Sequence, residues 1–216
     1  MKELRNLAWE RKLQMKKTII YPLRFSFGLK KTKYIPGENK FTGYLDENLT
    51  FPLNHIIFND LNSEDIVTVL LVKTVSEKRN IESIVNEAKN EITRVLSGHC
   101  AEIRIIEIEA PYSSKKEELG QIYKGLCENI EPESDVFVDF TYGPKYMPVL
   151  LFCALNYAEK YLNCTVNRLI YGLFDTNKDE HGTMVDFTTL YLLNSFGAMF
   201  DGSKNSFDTF VGNILK

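Results

Sequence analysis

The chain has 216 residues, with 26 Lys and Arg against 29 Asp and Glu for a formal net charge of −3, and is 44% hydrophobic and 25% charged. These values describe one soluble globular domain with enough apolar material for a sizeable core. With 12 Gly and 7 Pro, collagen-like, low-complexity and largely disordered architectures are excluded.

The longest uncharged runs, 146–158 and 187–200, are shorter than the roughly 20 residues that cross a bilayer, so no transmembrane helix is expected. The N-terminus has no apolar signal core, and we expect a cytoplasmic protein. Cys100, Cys127, Cys153 and Cys164 form no C-x-x-C pair and are read as reduced structural thiols. Residues 1–33 hold ten Lys or Arg and two Glu, a basic front end that suits either phosphate contact or plain solubility. Residues 1–16, with Leu4, Leu7, Ala8, Trp9 and Leu13 among charges, read as a basic extension. Residues 17–216 then form the folded domain.

In chain order, 18–27 reads as a first strand, with Pro22 arguing for a bulge or an early end. The polar stretch 28–49 reads as a long loop that covers a ligand, and 51–61 as a short amphipathic helix. Residues 66–74 are a continuous apolar run, a strand buried on both faces. Ile81, Ile84, Val85, Ala88, Ile92, Val95 and Leu96 repeat with helical period, and Ser97-Gly98 supplies the stop. A third strand over 101–108, a helix over 119–130 and a fourth strand over 135–139 follow. The segment 145–162 is apolar almost all round and predicts a central helix. A fifth strand spans 165–174, and helices are expected near 188–200 and 206–215. This alternation predicts a Rossmann-like, doubly wound α/β domain: a mainly parallel sheet with helices on both faces.

Such sheets bind ligands beyond the carboxyl ends of their strands. That rule singles out four segments: 24–31, 73–78, 139–146 and 175–182. The most informative runs Asp139-Phe140-Thr141-Tyr142-Gly143-Pro144-Lys145-Tyr146-Met147-Pro148. Gly143 permits close backbone approach, Lys145 adds a charge, and Pro148 fits a first helical turn whose unpaired N–H groups attract phosphate. Thr141 and Tyr142 offer hydroxyls, and Tyr142 and Tyr146 offer faces for base stacking. The same residues equally suit a strand-to-helix turn chosen for geometry alone.

From Lys17 onward the chain resembles the CRISPR-associated Rossmann-fold (CARF) sensor domain, in the subgroup marked by Asp-x-Thr-His-Gly. Asp139, Thr141, Gly143, Met147 and Pro148 fit that pattern, Lys145 stands where the family has Arg, and Tyr142 replaces His. Tyr171-Gly172-Leu173-Phe174-Asp175 and Val185-Asp186-Phe187-Thr188 look like its later strand and helix-entry signatures. The resemblance implies a homodimer that binds cyclic oligoadenylate, most plausibly cyclic tetra-adenylate, in type III CRISPR antiviral signalling, with one patch used twice about the two-fold axis. Candidate ligand-binding residues are Arg24, Ser26, Gly28, Thr74, Thr141, Tyr142, Gly143, Pro144, Lys145 and Tyr146. An effector domain or an effector protein in trans would carry the output.

Two alternatives stay open: a metal-independent ring nuclease that cleaves the same messenger, and a nucleic-acid-binding regulator that uses the basic arm. No nucleic-acid-binding signature is visible, so direct nucleic-acid binding is not expected; nor is firm membrane anchoring, because the apolar face of 1–16 is thin. No Walker loop, dinucleotide fingerprint or nucleophile elbow occurs, and no cofactor is expected. His55, His99 and His181 are isolated, so no metal is expected. Arg94 and His99 match the spacing of the HEPN ribonucleases, but at a helix stop that Ser97-Gly98 already explains.

Overall fold

The computed structural model describes residues 15–23, 31–37, 43–75, 81–113, 115–174, 180–199 and 211–212. Seven strands form one sheet in the order β2-β7-β6-β5-β1-β3-β4. They are β1 (Lys16–Leu23), β2 (Tyr34–Pro36), β3 (Ile66–Val75), β4 (Glu102–Pro111), β5 (Ser134–Asp139), β6 (Thr165–Leu173) and β7 (Gly182–Asp186). Neighbours pair in parallel except β6 with β7. The Rossmann-like, mainly parallel α/β fold expected from the alternation is therefore present.

The helices are α1 (Glu82–Leu96), α2 (Lys116–Asn129), α3 (Met147–Tyr161) and α4 (Thr188–Met199). Helix α1 buries its 3.6-period stripe on one face of the sheet, together with the segment around 49–57. The opposite face is covered by α2, α3 and α4 in a second cluster centred on Ile20, Leu70, Val138 and Leu151. Successive residues of β1 and β3 point alternately into the two clusters. That is why these strands read as unbroken apolar runs rather than alternating ones.

The chain runs from β1 to β3 and β4 on one side, then returns to place β5 and β6 on the other side of β1. Strand order thus reverses at β1, and the crevice between the carboxyl ends of β1 and β5 is the switch point where such sheets receive ligands.

Several local expectations need correcting. Pro22 neither bulges nor ends β1: it stays in register with Val72, and the strand runs to Leu23. The stretch 28–49 contains the short strand β2 and a bridge between Thr32 and Leu49. Residues 51–61 form two short 3-10 turns, Pro52–His55 and Ile57–Asp60, not an amphipathic helix. Helix α3 is not buried all round, since Val149 is 65% and Tyr161 64% exposed. Gly182, placed by sequence in a loop, opens the antiparallel strand β7. The expected helix over 206–215 lies outside the described residues apart from 211–212, which are helical. All four cysteines are free thiols.

Candidate functional site

The segment 139–146 leaves the carboxyl end of β5 and folds back across the top of the sheet. Gly143 sits at φ +105, a conformation that L side chains rarely adopt, and a Cβ there would lie 3.2 Å from Pro22 Cβ at the end of β1. Only glycine fits both conditions. Further along, Tyr146 Oη donates to the Pro111 carbonyl at 3.2 Å, so the turn also reaches the end of β4.

Asp139 is buried, and its carboxylate is the turn's inner anchor: Oδ1 accepts the Thr141 N–H at 3.1 Å and Oδ2 the Leu53 N–H at 2.9 Å. Burial pushes its pKa up to about 6, against the opposing pull of those N–H donors. Thr141 Oγ1 accepts the Gly172 N–H at 2.8 Å, which fixes the turn to β6.

The sequence expected unpaired N–H groups at the start of α3. They are paired: Met147 N–H donates to Pro144 O at 2.8 Å, while Val149 and Leu150 N–H both reach Tyr146 O at 3.1 and 3.2 Å. Pro148 has no N–H to offer. The donors without a partner among the described residues lie one step earlier, on the backbone of Gly143, Lys145 and Tyr146. Lys145 is exposed and stands among them. Three N–H dipoles and one full charge within four residues are the donor chemistry an anionic oxygen would need.

Of the ten residues picked from sequence, Thr141, Tyr142, Gly143, Pro144, Lys145 and Tyr146 come together here, with Pro144 buried and Tyr146 half-buried. Thr74 is buried at the end of β3, its hydroxyl without a hydrogen-bond partner among the described residues. Arg24, Ser26 and Gly28 lie outside the described residues. Tyr142 is not a free platform: its phenol donates to Thr50 O at 3.3 Å, and its ring meets Phe51 edge-on at 5.8 Å.

Sequence reasoning passed over two features. Tyr112, 59% exposed, follows β4 on this same edge of the sheet. The second is the segment 50–54, a strap seated under the turn by buried polar groups. Tyr21 Oη donates to Asn54 Oδ1 at 2.7 Å, and Glu91 of α1 accepts from Thr50, Phe51 and Asn54. Gly172 makes room for the strap, because a Cβ there would come within 2.5 Å of Pro52 Cγ. A signal for Glu91 existed: it lies three residues after Ala88 and four before Val95, so a carboxylate interrupts the apolar stripe of α1. Beside the strap, His55 is buried and neutral, its Nδ1–H donating to Leu45 O at 2.7 Å while burial lowers its pKa.

Arg94 and His99 assemble no site. Arg94 pairs with Glu47 at 3.1 Å, His99 packs near Phe58, and Gly98 at φ +83 closes α1. Among the described residues no helix is long and apolar enough to cross a membrane, and no group of His, Cys, Asp or Glu is placed to hold a metal ion.

No curated protein matches the chain. The family described as "CRISPR system endoribonuclease Csx1, CARF domain" matches residues 18–179, from β1 through β6 and well over half of the sequence. On that match, with which the Rossmann-like strand order agrees, the chain belongs to the Csx1 CARF-domain family.

Proposed function

We propose that the protein senses cyclic oligoadenylate in type III CRISPR antiviral signalling, as a homodimer that holds one ring across its two-fold axis. The observation that carries this reading is the turn 143–146. It presents three backbone N–H groups and the exposed Lys145 at the sheet's switch point. A phosphodiester oxygen supplies the negative charge and lone pairs such donors lack. Family membership supplies the ligand class.

A macrocycle with an even number of repeats offers identical faces to two identical chains, so a ring of four gives each protomer the same pair of phosphates. Cyclic tetra-adenylate is the ring we favour. Tyr142, where the subgroup pattern has His, spends its hydroxyl on Thr50 O. Ring recognition therefore falls to the backbone donors and Lys145, with the half-buried Tyr146 ring beside them to meet an adenine face. The signal then passes to an effector domain or an effector protein in trans.

Calorimetric titration with cyclic tri-, tetra- and hexa-adenylate, beside linear controls, tests the reading. One cyclic tetra-adenylate per two chains is the expected stoichiometry. Absence of heat with all three rings would discard the sensor reading, and one ring per chain would discard the two-fold site.

A further inference from the structure

Glu91 lies on the inward face of α1 and is 4% exposed. Helix packing alone would be served better by Leu or Met, because a carboxylate at this depth costs several kcal/mol unless its oxygens are fully bonded. Both oxygens of Glu91 accept the Thr50 N–H at 2.9 Å. Its Oε1 also accepts the Phe51 N–H at 3.3 Å and the Asn54 Nδ2–H at 2.9 Å. Every one of these donors belongs to a single five-residue segment, the strap 50–54.

The strap in turn touches the ligand turn twice. Its Thr50 carbonyl accepts the Tyr142 hydroxyl at 3.3 Å, and its Leu53 N–H donates to Asp139 Oδ2 at 2.9 Å. The Phe51 ring lies between Tyr21, at 4.7 Å, and Tyr142, at 5.8 Å. The path Glu91, strap, Tyr142 and Asp139 is thus continuous and made of bonds with fixed directions.

From this geometry we propose that Glu91 is a positioning residue of the ligand turn, acting through the strap 50–54 on Tyr142 and Asp139. It rests on the reading of 139–146 as the ligand site. Glu91 is on a different element from the turn and need not touch the ligand. It sets the height of the Thr50 carbonyl, and so decides how Tyr142 holds the backbone of Gly143 and Lys145, whose N–H groups meet the anion.

Peptide-level hydrogen exchange of the full chain, without ligand, is the direct test. In Glu91→Gln one accepting oxygen becomes a donor facing the Thr50 N–H. Exchange across 140–142, where the Phe140 and Thr141 N–H groups are hydrogen-bonded, should then quicken about tenfold, while β1 and the start of β3 keep wild-type protection. Affinity for cyclic tetra-adenylate should fall by a similar factor, and Asn86→Ala, an exposed change on the same helix, should alter neither. Should Glu91→Gln fail to fold, Tyr142→Phe removes the hydroxyl that bonds the Thr50 carbonyl, together with its contact to Tyr34, and should quicken exchange over the same residues. Where both variants fold, their combination should be less than additive. Wild-type exchange across 140–142 in whichever of the two variants folds would overturn the proposal. If no cyclic oligoadenylate binds the wild type, the ligand reading falls instead, and the exchange experiment still decides the role of Glu91.

Discussion

Buried charge is handled in opposite ways at the two ends of the sheet. At the amino end Lys17 reaches Asp135 at 2.6 Å and Asp65 at 3.9 Å, so that a cation sits between carboxylates from two other parts of the chain. Beside it Thr18 and Ser134 share a hydrogen bond of 2.9 Å across the β1–β5 pair. At the carboxyl end Asp139 and Glu91 are as deeply buried, yet neither enters an ion pair among the described residues; they are held by N–H dipoles of irregular backbone. Opposite charges lock strand order without reference to anything above them. Carboxylates held by dipoles keep an irregular segment in one shape, at a standing desolvation cost. The ion-paired end is the scaffold, and the costly end is where the turn 139–146 is shaped.

The largest effect should come from breaking the amino-end cluster. Lys17→Ala leaves Asp65 and Asp135 facing each other with little solvent, and should lower unfolding free energy by about 3–5 kcal/mol in denaturant titration. Ligand affinity of the folded fraction should stay at the wild-type value. A parallel loss of affinity would show that the two ends are not independent.

At the carboxyl end the expected signature is pH dependence. The folded pKa of Asp139, at about 6, lies above its unfolded value near 3.8. Between those values the folded chain binds more protons, so this group's contribution to stability declines as pH rises from about 4 to 6 and stays low above that. The gap corresponds to about 3 kcal/mol. Asp139→Asn should flatten this part of the stability profile, whereas Lys17→Ala should not. An unchanged slope in Asp139→Asn would remove Asp139 as its source.

The contrast also explains what could be read from the sequence. Strand β3 was legible because burial on both faces demands an unbroken apolar run, and α1 because one covered face demands a helical period. The turn was legible because Gly143, Lys145 and Pro148 are local signals. The strap was not. Pro52, Leu53, Asn54 and His55 carry the apolar and polar spacing of an amphipathic helix, but distant carboxylates fix the segment: Asp139, 86 residues away, takes the Leu53 N–H, and Glu91, about 40 residues away, takes those of Thr50 and Phe51, while Asn54 and Ile56 bond carbonyls three residues back. Strand β2 is three residues long beside a Gly- and Pro-containing stretch, too short for alternation to register. Helix α3 misled in the other direction, because composition shows how apolar a helix is but not which of its faces is covered.

A smaller effect is expected at Gly143. Alanine there must accept φ +105 and a Cβ 3.2 Å from Pro22, a strain of about 2 kcal/mol. Melting temperature should drop by roughly 4–8 °C for a chain of this size. Because the displaced backbone carries the Gly143 and Lys145 N–H groups, affinity for cyclic tetra-adenylate should fall as well. A stability loss with intact affinity would place the anion site off this turn.

Lys145 should give the smallest change in stability and the cleanest one in function. Its side chain is exposed, and none of the ion pairs among the described residues involves it. Lys145→Ala should therefore leave unfolding free energy within about 0.5 kcal/mol of wild type. If its ammonium meets a phosphate, binding should weaken by about 1–3 kcal/mol, and the difference should shrink as salt screens the charge. Lys145→Arg separates charge from shape: it keeps the positive charge and adds a bidentate fork. Tighter binding than wild type would mean that the site has room for two phosphate oxygens. Binding equal to wild type would leave charge alone as the contribution, and equal affinity in the alanine and wild-type proteins would relocate the phosphate away from this edge of the sheet.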